Sequence, residues 1–119
     1  QFNYLTKETT FSTNPITKKI LDITSDYNYI WLLTEDNLTC YNYRGIVEYS
    51  FKNEGFEEIA SFNEHLILRK KETLIFYNKS TKTFESIPLE HQLINSFFVS
   101  QQNLYIYELN KIYKYKLNF

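Results

Sequence analysis

Apolar residues recur along this chain in runs of about five, alternating or continuous, and polar turns separate them. Runs that short fit strands better than helices. Ile20-Leu21-Asp22-Ile23-Thr24 sets apolar residues around a polar one, and Asp26-Tyr27-Asn28 reads as a turn because Asn and Asp tolerate turn geometry. Tyr29-Ile30-Trp31-Leu32-Leu33 is continuously apolar, the pattern of a strand covered on both faces. Glu35-Asp36-Asn37 turns into a strand over Leu38–Tyr43, and Arg44-Gly45 turns into an alternating strand over Ile46–Phe51. Four strands joined by short turns make one unit of an up-and-down sheet.

The plan then repeats. The second unit reads Glu58–Phe62, a turn at Asn63-Glu64, His65–Leu68, a turn over Arg69–Glu72, Thr73–Tyr77, a turn over Asn78–Thr81, and Thr83–Ile87 ending at Pro88. Proline donates no hydrogen bond and belongs at a strand end. The third unit reads Ile94–Val99, Asn103–Tyr107 and Lys111–Leu117. Five landmarks keep offsets of 36 and then 38 residues: Ile20, Phe56, Ile94; Ile23, Ile59, Phe97; Ile30, Leu66, Leu104; Leu38, Leu74, Ile112; Tyr41, Tyr77, Tyr115. A strand repeat of this length is the signature of propeller blades.

The third unit lacks a fourth strand, and Tyr4–Phe11 is predicted to return and complete it, with Ser12-Thr13-Asn14-Pro15 turning into the first unit. The predicted fold is therefore all-β, an antiparallel propeller-like array of three four-stranded blades. It forms a single domain over 1–119, with units at about 20–55, 56–92 and 93–119 plus 4–11. Propellers typically have four to eight blades, so three are too few for an ordinary closed ring. Two copies closing six blades, an open or tight array, a piece of something larger, or another subunit covering an exposed blade face would each resolve this. A repeat unit cannot bury its hydrophobic face alone.

Composition narrows the partners. Lys+Arg 13 against Asp+Glu 14, with a net charge of -1, leaves no global basic field for nucleic acid or an anionic membrane. Aromatics at 18% favour pleated, half-buried surfaces. No apolar run reaches membrane-helix length. A chain without Met that starts at Gln1 suits a segment left after signal cleavage, so an extracytoplasmic location is expected. The single cysteine, Cys40, lies between Thr39 and Tyr41 and reads as a small buried hydrophobe.

Candidate chemistry is sparse. His65 and His91 have no Cys/His spacing of a metal site and read as solvated or locally hydrogen-bonded. Ser61 and Ser96 read as matching strand positions of the repeat, and no Gly-x-Ser-x-Gly elbow accompanies either. Neighbours on a strand point to opposite faces, so Glu57 and Glu58 are not expected to converge, while Glu35 and Asp36 sit in a turn. Arg69-Lys70-Lys71, with Lys111 in the equivalent turn, is the one basic run and reads as a solvated hairpin turn. Trp31, Ile67 and Tyr105 share a repeat position and are expected to pack between blades. Asn37-Leu38-Thr39 and Asn78-Lys79-Ser80 match the glycosylation triplet.

Over Tyr29–Asn42, and more loosely over Asn103–Tyr115, the chain resembles bacterial β-propeller repeat proteins. These include the regulator-type propellers of exported sensors and the propeller scaffolds of envelope complexes. Asn37, Thr73 and Lys111 stand where those repeats usually carry a turn glycine. The resemblance implies a recognition or scaffolding module and brings no catalytic residues. The expected function is a non-catalytic, protein-binding scaffold or accessory subunit of a cell-envelope complex, with no cofactor or metal and no catalytic site. Its partner is either a second copy or another subunit. The alternative is a carbohydrate- or small-ligand-binding module using loop-tip tyrosines and asparagines.

Overall fold

A computed structural model describes residues 18–63, 65–89 and 94–117. They contain eleven strands and no helix. Blade 1 is the sheet β1-β2-β3-β4, made of β1 (Ile20–Ser25), β2 (Tyr29–Thr34), β3 (Asn37–Asn42) and β4 (Val47–Lys52). Blade 2 is β5-β6-β7-β8, made of β5 (Phe56–Phe62), β6 (His65–Lys70), β7 (Thr73–Asn78) and β8 (Thr83–Ser86). Blade 3 contains β9 (Ser96–Ser100), β10 (Asn103–Glu108) and β11 (Lys111–Lys116). All neighbouring strands pair antiparallel in chain order. The expected closing strand at Tyr4–Phe11 lies outside the described residues, so blade 3 is described with three strands.

Asn and Asp side chains build the turns. Asp26 Oδ1 accepts from the N–H groups of Asn28 and Tyr29, and Asn42 Oδ1 accepts from Arg44 and Ile46. Asn78 Oδ1 does the same for Ser80 and Thr81. These side chains mimic the backbone acceptor of a turn. Gly55 links blade 1 to blade 2 at φ 107°, where an L side chain is strained. The turns of blade 3 also take positive φ, without glycine: Gln101 and Gln102 lie at φ 49° and 66°, Leu109 and Asn110 at 50° and 63°. Paired positive φ values define the type I′ hairpin, whose twist matches that of its strands.

Three sequence expectations need correction. Strand β6 runs on through Lys70, so Arg69 and Lys70 are strand residues rather than turn residues. Ser61 and Ser96 are not equivalent. Ser61 pairs with Leu66 and Ser96 with Tyr107, which matches Ser61 to Val99 and Ser96 to Glu58. Finally, β5 bulges between Phe56, opposite Lys70, and Glu58, opposite Arg69. The extra residue breaks strict alternation, so Glu57 and Glu58 converge after all. Strand β1 carries the same irregularity between Ile20 and Asp22.

Packing follows the alternation along each strand. Odd and even positions of the second and third strands face opposite neighbours, which is why Trp31, Leu32 and Leu33 are all buried, as are Leu66, Ile67 and Leu68. One core joins blades 1 and 2: Trp31, Leu33, Leu38 and Cys40 meet Phe56, Ile59, Leu66, Leu68 and Tyr77. The other joins blades 2 and 3: Phe62, Ile67, Leu74 and Phe76 meet Ile94, Phe97, Leu104, Ile106 and Leu117. Each blade thus has a leading face, turned toward the preceding blade, and a trailing face, turned toward the next.

Candidate functional site

Among the described residues, no blade packs on the leading face of blade 1 or on the trailing face of blade 3. On leading faces the first-strand positions are Ile20 and Ile23 in blade 1, Phe56 and Ile59 in blade 2, and Ile94 and Phe97 in blade 3. Exposure is 51% and 61% in blade 1, against 8% and 5% in blade 2 and 2% and 7% in blade 3. Ile30 is half-buried and Leu32 is buried on that same blade 1 face. The trailing faces show the mirror of this. Leu38 and Leu74 are 0% and 2% exposed, and Ile112, their equivalent in blade 3, is 69% exposed. Around Ile112 lie Tyr107 and Phe98, both exposed, and Phe98 stacks on Tyr105 with centroids 4.7 Å apart. The shared position of Trp31, Ile67 and Tyr105 therefore packs between blades in the first two units, as expected, and stands at the open face in the third.

Side chains of the inner strands stitch successive blades. Asp22 Oδ2 accepts from the Ile59 N–H at 2.9 Å, Thr24 Oγ1 from the Ser61 N–H at 3.3 Å, and Ser61 Oγ donates to the Ser25 carbonyl at 2.7 Å. Across the next boundary Ser96 Oγ donates to Glu58 Oε2 at 2.9 Å. Glu58 also accepts from Arg69 Nε, and Arg69 Nη1 lies 3.1 Å from Glu57. The bulge in β5 lets both carboxylates grip one guanidinium, whose side chain is only 14% exposed. Arg69 is thereby removed from the basic run, and its role is structural.

At one end of the array, turns β1–β2 and β3–β4 of blade 1 and turn β5–β6 of blade 2 come together. They must, since alternate turns of an up-and-down sheet share an end. They border an open cleft of about 500 Å³ lined by Ser25, Asp26, Tyr27, Tyr43, Ser61 and Asn63. Tyr43 donates its hydroxyl hydrogen to the Asp26 carbonyl, and Tyr27 projects into solvent at 95% exposure. The sequence marks Asp26, Tyr27 and Asn63 as turn residues; which turns meet is a tertiary fact.

The remaining candidates have structural roles. His65 Nδ1 accepts from the Lys79 N–H at 3.1 Å, and its ring lies against Phe76. His91 lies outside the described residues. Cys40 is fully buried, and burial pushes its thiol up to about 12, partly opposed by the Lys79 charge. Tyr77 sits in the same core with its hydroxyl pKa also raised by burial. Lys79 reaches back from blade 2 to place Nζ 3.0 Å from the Tyr29 ring centroid, a cation–π contact across the blade boundary. Glu35 and Asp36 are exposed in their turn, and Asp36 pairs with Lys18 at 3.1 Å. Asn37, Thr73 and Lys111 each open a strand. Among the described residues no three His, Cys, Asp or Glu side chains gather as metal ligands would.

No protein-family model and no curated protein matches the chain. Solved structures do. Hsv2 from Kluyveromyces marxianus, a seven-bladed β-propeller, aligns with a TM-score of 0.65 at 14% identity, over 86% of this chain and 36% of its own. The computationally designed Ika4 protein aligns with a TM-score of 0.70 at 9% identity, over 94% of this chain and 74% of its own. The extracellular domain of the hybrid two-component system BT4673 from B. thetaiotaomicron aligns with a TM-score of 0.62 at 17% identity, over 82% of this chain and 15% of its own. Over its described residues the chain is an all-β, propeller-like array of three antiparallel sheets that do not close on themselves. It spans about a third of the length of Hsv2.

Proposed function

We propose that this chain is a non-catalytic, protein-binding scaffold or accessory subunit that works outside the cytoplasm and engages its partner through the open faces of blades 1 and 3. One observation carries the reading. Ile23 is 61% exposed where Ile59 and Phe97, at the same repeat position, are 5% and 7% exposed. Contiguous apolar surface of this kind marks an interaction site. The balanced charge, and the capture of Arg69 by Glu57 and Glu58, argue for a protein partner over nucleic acid. The resemblance of Tyr29–Asn42 to bacterial propeller repeats, and the likeness to the extracellular domain of a two-component system, favour a cell-envelope setting.

Photo-crosslinking amino acids placed at positions 23 and 112 in the source cell test this reading. Adducts of protein mass at both positions are expected. Absence of any protein adduct at either position overturns it.

The cleft bounded by Tyr27, Tyr43, Asp26 and Asn63 supports a second reading, a carbohydrate-binding module. Aromatic faces beside amide and carboxylate groups suit sugar rings and hydroxyls. Chemical-shift changes at Tyr27 and Tyr43 on titration with an oligosaccharide panel, lost in Y27A, are the expected signature. An unmoved spectrum across the panel rejects it.

A further inference from the structure

We infer that the partner of the two open faces is a second copy of this chain, with blade 3 of each copy laid on blade 1 of the other, so that two copies close a six-bladed ring. This rests on the reading that the open faces bind protein.

The argument is one of continuity with interfaces the chain already makes. Its two internal boundaries are built the same way: a trailing face formed by Trp31, Leu33, Leu38 and Cys40, or by Ile67, Leu74 and Phe76, sits on a leading face of the following blade. The surfaces left over are one leading face, with Ile20 and Ile23, and one trailing face, with Phe98, Tyr105, Tyr107 and Ile112. They are the same repeat positions that meet inside the chain, and no described blade covers them. The two surfaces differ from each other, so the contact is head-to-tail, and a head-to-tail contact closes into a ring when its rotation permits. Two three-bladed units give six blades, within the range in which propellers close. The leftover surfaces also complement each other in shape class. Short aliphatic side chains project from blade 1, and flat stacked rings with one isoleucine line blade 3.

Light scattering on the purified 119-residue chain tests the inference. The expected mass is twice 14.4 kDa, held across a dilution series. Ile23→Glu and Ile112→Glu each place a carboxylate in both copies of the contact. Each is expected to weaken the dimer on the order of a hundredfold, because an unpaired charge is buried. Circular dichroism checks that both variants keep the strand signal, and both substitutions fall at exposed positions.

Mixing the two variants is the decisive step. One contact then carries both substitutions and the other carries none, so a mixed dimer re-forms. Recovery on mixing is unique to a head-to-tail arrangement. A monomer at all concentrations overturns the second copy. Loss of the dimer in one variant only indicates a face-to-face contact and overturns the ring, as does growth into open filaments. A monomeric chain that still crosslinks to a different protein at positions 23 and 112 in the source cell defeats the second copy alone and leaves the protein-binding reading standing.

Discussion

Ile23 and Ile59 are the same residue type at the same repeat position of consecutive blades, yet one lies in solvent and the other in a core. Leu38 and Ile112 form the same contrast at the opposite end. Nothing in the local sequence separates the members of each pair. What separates them is whether a neighbouring blade is present. A blade is a two-faced layer, and its stability is shared with the layers on either side. The middle blade is the only one whose two faces are both covered by described blades.

The largest test of this contrast is truncation at matched positions. Trp31→Ala should cost about 3–5 kcal/mol, and Leu74→Ala about 2–5 kcal/mol, as cavities in the two cores. In the Ile23→Glu background, where the two-copy contact is broken, Ile112→Ala should change stability by no more than about 0.5 kcal/mol, as surface substitutions do. Urea unfolding midpoints measure all three. Equal losses at Leu74 and Ile112 would mean that the trailing face of blade 3 is covered within the chain.

A smaller effect is expected at Arg69, which holds two carboxylates in blade 2 where blade 1 has Leu33. Arg69→Ala should destabilise by about 1–3 kcal/mol, the range for charged hydrogen bonds left unmade. Arg69→Lys should recover only part of this, because an ammonium cannot reproduce the planar fork that reaches both Glu57 and Glu58.

Cys40 sharpens the comparison through pH, since its equivalent in blade 3 is the exposed Lys114. The thiol ionises near 9.0 when unfolded and near 12 when folded. The unfolded chain therefore binds fewer protons between those values. Stability from this group is full below pH 9 and falls as pH rises toward 12, by up to about 1.4 kcal/mol per pH unit. Tyr77, raised in the same direction, steepens the loss above pH 10. Unfolding midpoints across pH 8 to 11 measure the slope, and a flat profile would mean that the thiolate is accommodated in the core. The smallest expected change is a gain. Leu109, 64% exposed at φ 50°, should become more stable as Leu109→Gly by about 1 kcal/mol, the order of the left-handed penalty it relieves.

Much of this architecture is legible in the sequence because strand, turn and repeat are local signals. Runs such as Tyr29–Leu33 and Thr73–Tyr77 fall within a residue of β2 and β7 at either end, and the Asn and Asp residues that punctuate them do build the turns. The failures share a cause. Alternation breaks where β5 inserts one extra residue, so Glu57 and Glu58 reach Arg69 together. A bulge is set by pairing across strands, and a single strand does not reveal it. The match of Ser61 with Ser96 failed for a related reason. Spacing drifts between units, and only the ladder defines which residues are equivalent. The end cleft was illegible because its six residues come from three turns and the strand ends beside them, in two blades.

By itself, the sequence determined that this protein is built of short antiparallel strands in thrice-repeated units, because apolar period and turn chemistry act over a few residues. The tertiary structure decided which of those equivalent apolar positions are core and which are surface. Burial is a property of the neighbour across the gap, and at the two ends of this array no described blade supplies that neighbour.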